Sequence, residues 1–224
     1  MDWRIVSIGT LPSNPLWNET GFLRTGHATT TVIKCGKSLL LVDPSLPPEM
    51  LNARLQERWG IDLSEITHVF LTSFDPDRRR SLDGLTHATW LMHEPEIQAA
   101  TLAIGDEILR AEGDAELTGI LGLHRELLTK FDIAADRPLL EAGVDLFPLP
   151  GFTPGSCGLL LPTPRRTILI CGDTVATSEH VAQASVLSNC ANIEMAQESF
   201  KECIEIADIL VLGRDNVVLN PIRS

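Results

Sequence analysis

The sequence predicts an α+β protein built as a four-layer αββα sandwich, in which two facing mixed sheets lie between outer helices. The first observation is that apolar strand-like runs alternate with helical stretches in two blocks, each of which begins with strands. The second is that 224 residues with 44% hydrophobic content can bury a large core. We expect one domain over residues 1–224, with the strands of the first block mainly in one sheet and those of the second block mainly in the other.

The first block is predicted from runs of alternating or continuous apolar residues. Its expected elements are a strand at 4–9, a hairpin at 29–42, a helix at about 48–59, a strand at 66–71 and a helix at about 82–90. Pro47 and Pro48 suit the start of the first helix, because the first helical turn does not need the N–H that proline lacks.

A helical insertion is predicted at about 96–131, between the two blocks. Its leucines and isoleucines fit helices that break near Gly105 and Gly113, and Pro95 suits the start of the first of them. The second block then has expected strands at 146–149, 157–161, 167–171 and 209–212, with a helix near 193–206 before the last strand.

The loop at 72–78, which follows the apolar strand at 66–71, carries the first functional signal. It reads T-S-F-D-P-D-R and resembles the T-H-x-H-x-D-H loop of the metallo-β-lactamase superfamily. Laid on that loop, Ser73, Asp75 and Arg78 stand where the family has its three histidines. Asp77 stands where the family has its aspartate. The resemblance implies the metallo-β-lactamase fold and a metal-dependent hydrolase.

Further segments follow in the family's order, so that the resemblance spans about residues 3–221. Residues 149–156 read L-P-G-F-T-P-G-S and are similar to T-P-G-H-T-P-G-S, with Phe152 in place of the ligand histidine. An apolar strand ending in G-D supplies Asp173, the family's metal-bridging acid, and Arg214 stands for the terminal histidine. The opening hairpin ends on Asp43, as the family's opening strands end on an aspartate.

These replacements predict that the chain has no zinc cofactor. Zinc prefers neutral imidazoles or thiolates in a tetrahedral array, and a serine, carboxylates and guanidinium groups do not supply them. The surviving aspartates could instead hold Mg²⁺ or Ca²⁺ through oxygen ligands. We favour the reading in which Arg78 or Arg214 forms salt bridges with Asp77 or Asp173 in the space that a metal would fill.

Several other side chains could have either a structural or a functional role. His180 is expected near the mouth of the cleft, either as a structural residue or as a functional one. Ser73 could act as a nucleophile only with a positioned base. The arginine run at 78–80 could clamp an anionic ligand or form a solvated turn with one arginine pointing inward. The residues expected to line one ligand-binding or vestigial cleft are Ser73, Asp75, Asp77, Arg78, Phe152, Asp173, Arg214 and His180.

Composition narrows the range of partners. A net charge of -12 disfavours nucleic acid, whose binding draws on Lys and Arg contacts with phosphates. No apolar run is long enough to cross a membrane, and the N-terminal residues do not resemble a secretory signal, so we expect a cytoplasmic protein. The five scattered cysteines are expected to be reduced.

Two functions remain open from the sequence. The first is a binding or regulatory module that has lost its metal centre and its catalysis. The second is a hydrolase of an ester, lactone, thioester or phosphoester that uses an atypical cation or none, as the resemblance implies. The sequence leaves open a small-molecule ligand, a protein ligand and a homodimer.

Overall fold

The computed structural model describes residues 1–134, 139 and 143–223. Its strands form two mixed sheets. The six-stranded sheet contains, side by side, β1 (Asp2–Ser7), β2 (Thr30–Cys35), β3 (Ser38–Val42), β4 (His68–Leu71), β5 (Thr89–His93) and β6 (Asp132–Ala134). The five-stranded sheet contains, side by side, β7 (Asp145–Pro148), β8 (Cys157–Pro162), β9 (Thr167–Ile170), β10 (Ile209–Val211) and β11 (Val217–Leu219). The predicted assignment of the two blocks to two sheets is therefore confirmed.

Helices cover the outer faces of both sheets. They are α1 (Pro48–Trp59), α2 (Glu94–Arg110), α3 (Ala115–Leu128), α4 (Ser178–Gln183) and α5 (Ile193–Ile206). Leu51 and Leu55 of α1 pack in a buried cluster with the six-stranded sheet, and Phe200 and Cys203 of α5 pack with the five-stranded one. The predicted αββα sandwich is confirmed.

The sequence of β3 shows how one strand serves two layers. Side chains of successive strand residues point to opposite faces. Leu39 and Leu41 accordingly belong to the cluster under the helices, whereas Leu40 and Val42 belong to the cluster between the two sheets. Because both faces are buried, the strand is continuously apolar instead of alternating with polar residues.

The predicted helix at 82–90 is wrong. Residues Leu82–Leu85 form a single 3-10 turn, and Thr89–His93 is β5, which pairs in parallel with β4 and β6. A short apolar run fits a buried strand as well as a helix, and here the neighbouring strands decide the outcome. Trp90 and Met92 face the helices, and the Trp90 indole N–H donates to the Leu85 carbonyl at 2.8 Å.

The predicted break of the inserted helices is right at one glycine and wrong at the other. Helix α2 continues through Gly105 to Arg110, because one glycine in a helix costs only about 1 kcal/mol. The chain then turns before α3 at Gly113, whose φ is +97°.

The treatment of 1–224 as one domain stays a prediction. Within the described ranges, no helix is both long and apolar enough to span a membrane.

Candidate functional site

The candidate site lies where four strands end. Each of β3, β4, β9 and β10 leads within a few residues to a charged side chain: Asp43 after β3, Asp75, Asp77 and Arg78 after β4, Asp173 after β9 and Arg214 after β10. We call these six residues the arginine–aspartate network. Because β3 and β4 belong to one sheet and β9 and β10 to the other, the network joins both sheets.

Arg214 donates two parallel hydrogen bonds to Asp173. Its Nε donates to Asp173 Oδ1 at 2.8 Å and its Nη2 to Asp173 Oδ2 at 2.7 Å, the bidentate geometry that suits a guanidinium and a carboxylate. Its Nη1 donates to Asp77 Oδ2. Gly213 allows this approach, because a Cβ there would overlap the carbonyl oxygen of Gly172. The predicted contact of an arginine with Asp77 or Asp173 is confirmed.

Arg78 lies deeper and has a side-chain exposure of 0%. Its Nη1 donates to Asp43 Oδ2 at 2.6 Å, its Nη2 lies 2.6 Å from Asp173 Oδ1, and its Nε lies 3.9 Å from Asp75 Oδ2. Asp43 also accepts hydrogen bonds from the backbone N–H and the hydroxyl of Thr72, at 2.9 and 2.8 Å. One inward-pointing arginine of the 78–80 run thus connects an acid of one sheet to an acid of the other.

Burial and the two arginines act in opposite directions on the pKa values of Asp173, Asp75 and Asp43. Burial alone would raise the pKa of Asp173, but the guanidinium groups of Arg214 and Arg78 outweigh burial and hold this pKa well below its ordinary value. Burial likewise opposes the charge of Arg78, yet Asp173 and Asp43 raise its pKa well above normal. At Asp75, burial raises the pKa, and nearby Arg78 opposes the increase without cancelling it.

A cleft of about 690 Å³ opens beside the network. The predicted cleft residues that line it are Asp75, Asp77, Phe152, Asp173, His180 and Arg214. Ser73 and Arg78 do not line it; both are buried beneath its floor, where the Ser73 hydroxyl donates to Asp75 Oδ2 at 2.9 Å. The structure therefore brings the predicted residues together, but Ser73 and Arg78 are buried behind the residues that line the cleft. This volume is within the range typical of small-molecule sites.

Two loops that the sequence reading did not assign to the site supply most of the cleft walls. One loop, at 11–22, follows β1 and contributes Leu11, Pro12, Leu16 and Phe22, and the other, at 185–189, follows α4 and contributes Val186 and Leu187. Leu11, Phe152 and Leu187 form a small buried cluster at this wall. The sequence carries no signal that would have found them, because residues 11–22 and 185–189 show neither a strand period nor a helix period.

The donor set fits zinc poorly. No group of three His, Cys, Asp or Glu residues within the described chain is arranged to hold a metal ion. Guanidinium nitrogens lie 2.6–2.8 Å from both oxygens of Asp173, so these oxygens already face cationic hydrogen-bond donors. Phe152 adds an apolar ring to the same cleft.

Comparison with known proteins identifies the family and the fold. The sequence profile of the Metallo-beta-lactamase superfamily matches residues 23–192. A Thermotoga maritima protein described as a candidate metallo-beta-lactamase is 18% identical with a TM-score of 0.70, over 97% of this chain and 98% of that one. No curated protein is similar enough in sequence to match the chain.

Two further solved structures are similar in fold. AidC, a dizinc quorum-quenching lactonase in complex with a product, is 17% identical with a TM-score of 0.66, over 84% of this chain and 72% of AidC. AbOPH, a hydrolase in the beta lactamase superfamily, is 14% identical with a TM-score of 0.66, over 98% of this chain and 90% of AbOPH. At these identities the likeness shows the fold alone.

Proposed function

The chain belongs to the Metallo-beta-lactamase superfamily, and from that premise we propose that it is a hydrolase-like protein without a zinc centre that acts as a non-catalytic binding or regulatory module. In this proposal its metal site is degenerate. The family's ligand histidines are replaced by Ser73, Asp75, Arg78, Phe152 and Arg214, as the resemblance of the sequence segments implies.

The observation that carries the proposal is the contact of two guanidinium groups with Asp173, the acid that the family uses between its metals. At an effective dielectric constant near 20, a divalent cation about 4 Å from one guanidinium is opposed by about 8 kcal/mol. A histidine can lose its proton to become a ligand, but arginine stays charged in proteins. Arg78 and Arg214 therefore both compete with a cation for the same carboxylates.

Elemental analysis of protein purified without added metal tests the proposal. We expect far less than one zinc per chain in the wild type. The variant Arg214→His should also lack zinc, because one imidazole cannot complete four ligands. Stoichiometric zinc that disappears in Asp173→Asn would contradict the proposal and return the chain to the metal-dependent hydrolases.

The alternative is a hydrolase of an ester, lactone, thioester or phosphoester. It is favoured by the carboxylates of Asp75 and Asp77 at the cleft, which could hold a hard cation, and by the lactonase activity named for AidC. Turnover of lactone, ester, thioester or phosphoester probes in the presence of Mg²⁺ or Ca²⁺, abolished by Asp173→Asn, would favour this alternative. The non-catalytic proposal expects no turnover above that of the Asp173→Asn variant.

A further inference from the structure

Three polar groups at the cleft lack a hydrogen-bond partner among the described residues. Asp77 uses Oδ2 for Arg214, but its buried Oδ1 accepts no hydrogen bond. Ser185 Oγ is also buried and unpaired. His180 is 3% exposed, and its ring bonds through Nδ1 to the Thr177 hydroxyl at 2.8 Å. Its Nε2 makes no hydrogen bond with any part of the chain that the structure describes. Leaving the two buried oxygens, Asp77 Oδ1 and Ser185 Oγ, unpaired costs about 1–3 kcal/mol each, which a bound ligand can recover.

The hydrogen bonds around Thr177 determine which His180 nitrogen carries the proton. The Thr177 hydroxyl donates its one hydrogen to Glu179 Oε2 at 2.7 Å, so toward His180 it can only accept. The proton of the neutral ring is therefore on Nδ1, and Nε2 is an acceptor. Burial lowers the pKa of His180, which favours this neutral ring. All three unpaired groups can therefore accept a hydrogen bond from a ligand.

The charge of the site favours a cationic ligand. The arginine–aspartate network contains four carboxylates and two guanidinium groups. Arg80, whose Nη2 donates to the Gly26 carbonyl at 2.8 Å, adds one positive charge at the cleft. Among the side chains that line the cleft, three carboxylates (Asp75, Asp77 and Asp173) outnumber two guanidinium groups (Arg80 and Arg214), and the whole chain carries -12. An anionic head group would meet unpaired carboxylate oxygen here, whereas an ammonium group has three N–H donors and no acceptor.

The walls of the cleft indicate what the rest of the ligand is. Leu11, Leu16, Phe152 and Leu187 present apolar side chains above the polar floor. Phe22 also lines the cleft although it is 92% exposed, so a large apolar ring stands in solvent at the mouth. An apolar chain that covered these side chains would stabilise the complex by about 25 cal/mol for each Å² removed from water.

We propose that the cleft binds an amphiphile with a primary ammonium head and an apolar body, the head lying at Asp77, Ser185 and His180. The inference rests on the proposed non-catalytic function and gives that function a ligand class. Binding needs no covalent step and no metal.

Calorimetric titration with n-decylamine, below its micelle concentration at pH 7, tests the proposal. We expect saturable binding of one amine per chain, and binding at least tenfold weaker for decanoate. Decyltrimethylammonium should also bind at least tenfold weaker, because it carries the charge without the three N–H donors. Equal binding of decanoate, or no binding of decylamine, would overturn the inference.

Variants locate the head group. Ser185→Ala and Asp77→Asn should each weaken decylamine binding about tenfold or more, the equivalent of one lost hydrogen bond to a charged group. Ser188→Ala is the matched control, because Ser188 lines the same cleft from the same loop but is exposed. Unchanged affinity in both Ser185→Ala and Asp77→Asn would overturn the placement of the head.

The result of the decylamine titration and the result of the zinc analysis test different proposals. Zinc-free protein that does not bind decylamine would contradict the ligand class and leave the non-catalytic proposal standing. Stoichiometric zinc would contradict the non-catalytic proposal, whatever the amine does.

Discussion

Arg78 is a charged residue with no exposed side-chain surface, and its contacts explain how that is sustained. The free energy of removing a guanidinium from water is several kcal/mol, and only close opposite charges offset it. Asp43 and Asp173 provide them at 2.6 Å on two sides. Asp43 itself has a φ of +50°, an unusual conformation for a residue other than glycine, and its carboxylate is held by Thr72 as well as by Arg78. The buried charge is thus shared over residues from both sheets.

Replacing Arg78 by methionine should lower the free energy of unfolding by about 3–5 kcal/mol, because buried Asp43 loses its cationic partner and Asp173 loses one of its two. Urea unfolding followed by circular dichroism measures the change. Arg54→Met is the matched control, since Arg54 pairs with Glu57 at 2.7 Å while both side chains are more than half exposed. The control should change stability by less than about 1 kcal/mol. Equal effects of the two substitutions would show that burial of the Arg78 pair has no energetic weight.

At the scale of elements, the loop at 152–156 is fixed against the start of α2. The carboxylate of Glu96 accepts from the Phe74 backbone N–H at 2.8 Å and from the Thr153 hydroxyl at 2.6 Å. Gly155 packs so closely that a Cβ there would overlap the backbone of Pro95 and Glu96. Helix α2 thereby ties the loop after β4 to the loop that carries Phe152, and so positions one wall of the cleft.

Gly155→Ala should destabilise the protein by about 1–3 kcal/mol or more, because the methyl group must push two backbone segments apart. Gly105→Ala, in the middle of α2, should instead stabilise the protein. A Cβ at Gly105 meets no atom within 4 Å, and alanine is favoured over glycine in a helix by about 0.5–1 kcal/mol. Urea unfolding of both variants checks the pair. A Gly155→Ala variant as stable as the wild type would mean that loop and helix are not in this close contact.

At the scale of the whole molecule, the arginine–aspartate network joins the two sheets at the edge where their strands end. Arg78 and Arg214 both contact Asp173 of the five-stranded sheet and also reach acids that follow strands of the six-stranded sheet. The sheets are also held by apolar packing between them and by hydrogen bonds such as that from the Cys157 backbone N–H to the Thr72 carbonyl at 3.0 Å. The network is a part of the sheet-to-sheet contact that depends on charge, and therefore on pH.

The contribution of Asp173 to stability should disappear in acid. Its pKa in the folded protein is held below the unfolded value of about 3.9, so its stabilising effect is complete above that pH. As the pH falls further, the unfolded chain takes up the proton first, and the effect is lost through the folded pKa. The difference in free energy of unfolding between wild type and Asp173→Asn should accordingly shrink from about pH 4 toward pH 2, by more than about 1.4 kcal/mol.

Asp106→Asn, which removes an exposed carboxylate, serves as the control and should show little change with pH. A constant difference between wild type and Asp173→Asn over this range would mean that Asp173 has an ordinary pKa in the folded protein.

The elements that the sequence predicted well are those whose apolar pattern admits one reading. Helix α1 begins at Pro48 as predicted, and α5 spans 193–206. The five residues of β5 are too few to show a period, so the apolar pattern there fits a helix as well as a strand, and only pairing with β4 and β6 distinguishes the two. Elements of this length are specified by their neighbours in space.

The charges of the site were predictable, whereas its walls were not. Clustered acids need a cation, which is enough to expect Arg214 at Asp173. That Arg78 would reach Asp43 depends on the left-handed conformation at Asp43 and on the path of the loop at 72–78, neither of which the sequence reveals. The loops at 11–22 and 185–189 have no periodicity, so nothing indicated that they meet across the cleft.

The covalent attachment of the two guanidinium groups has a consequence for how the protein matures. A zinc-dependent relative must acquire its ions after synthesis, and a chelator or a shortage of zinc can leave it incomplete. The cationic groups that join the sheets here are the side chains of Arg78 and Arg214, so every molecule has both of them as soon as the chain is synthesised. If the chain binds no zinc, as proposed, the shape of the cleft is independent of the cell's zinc supply.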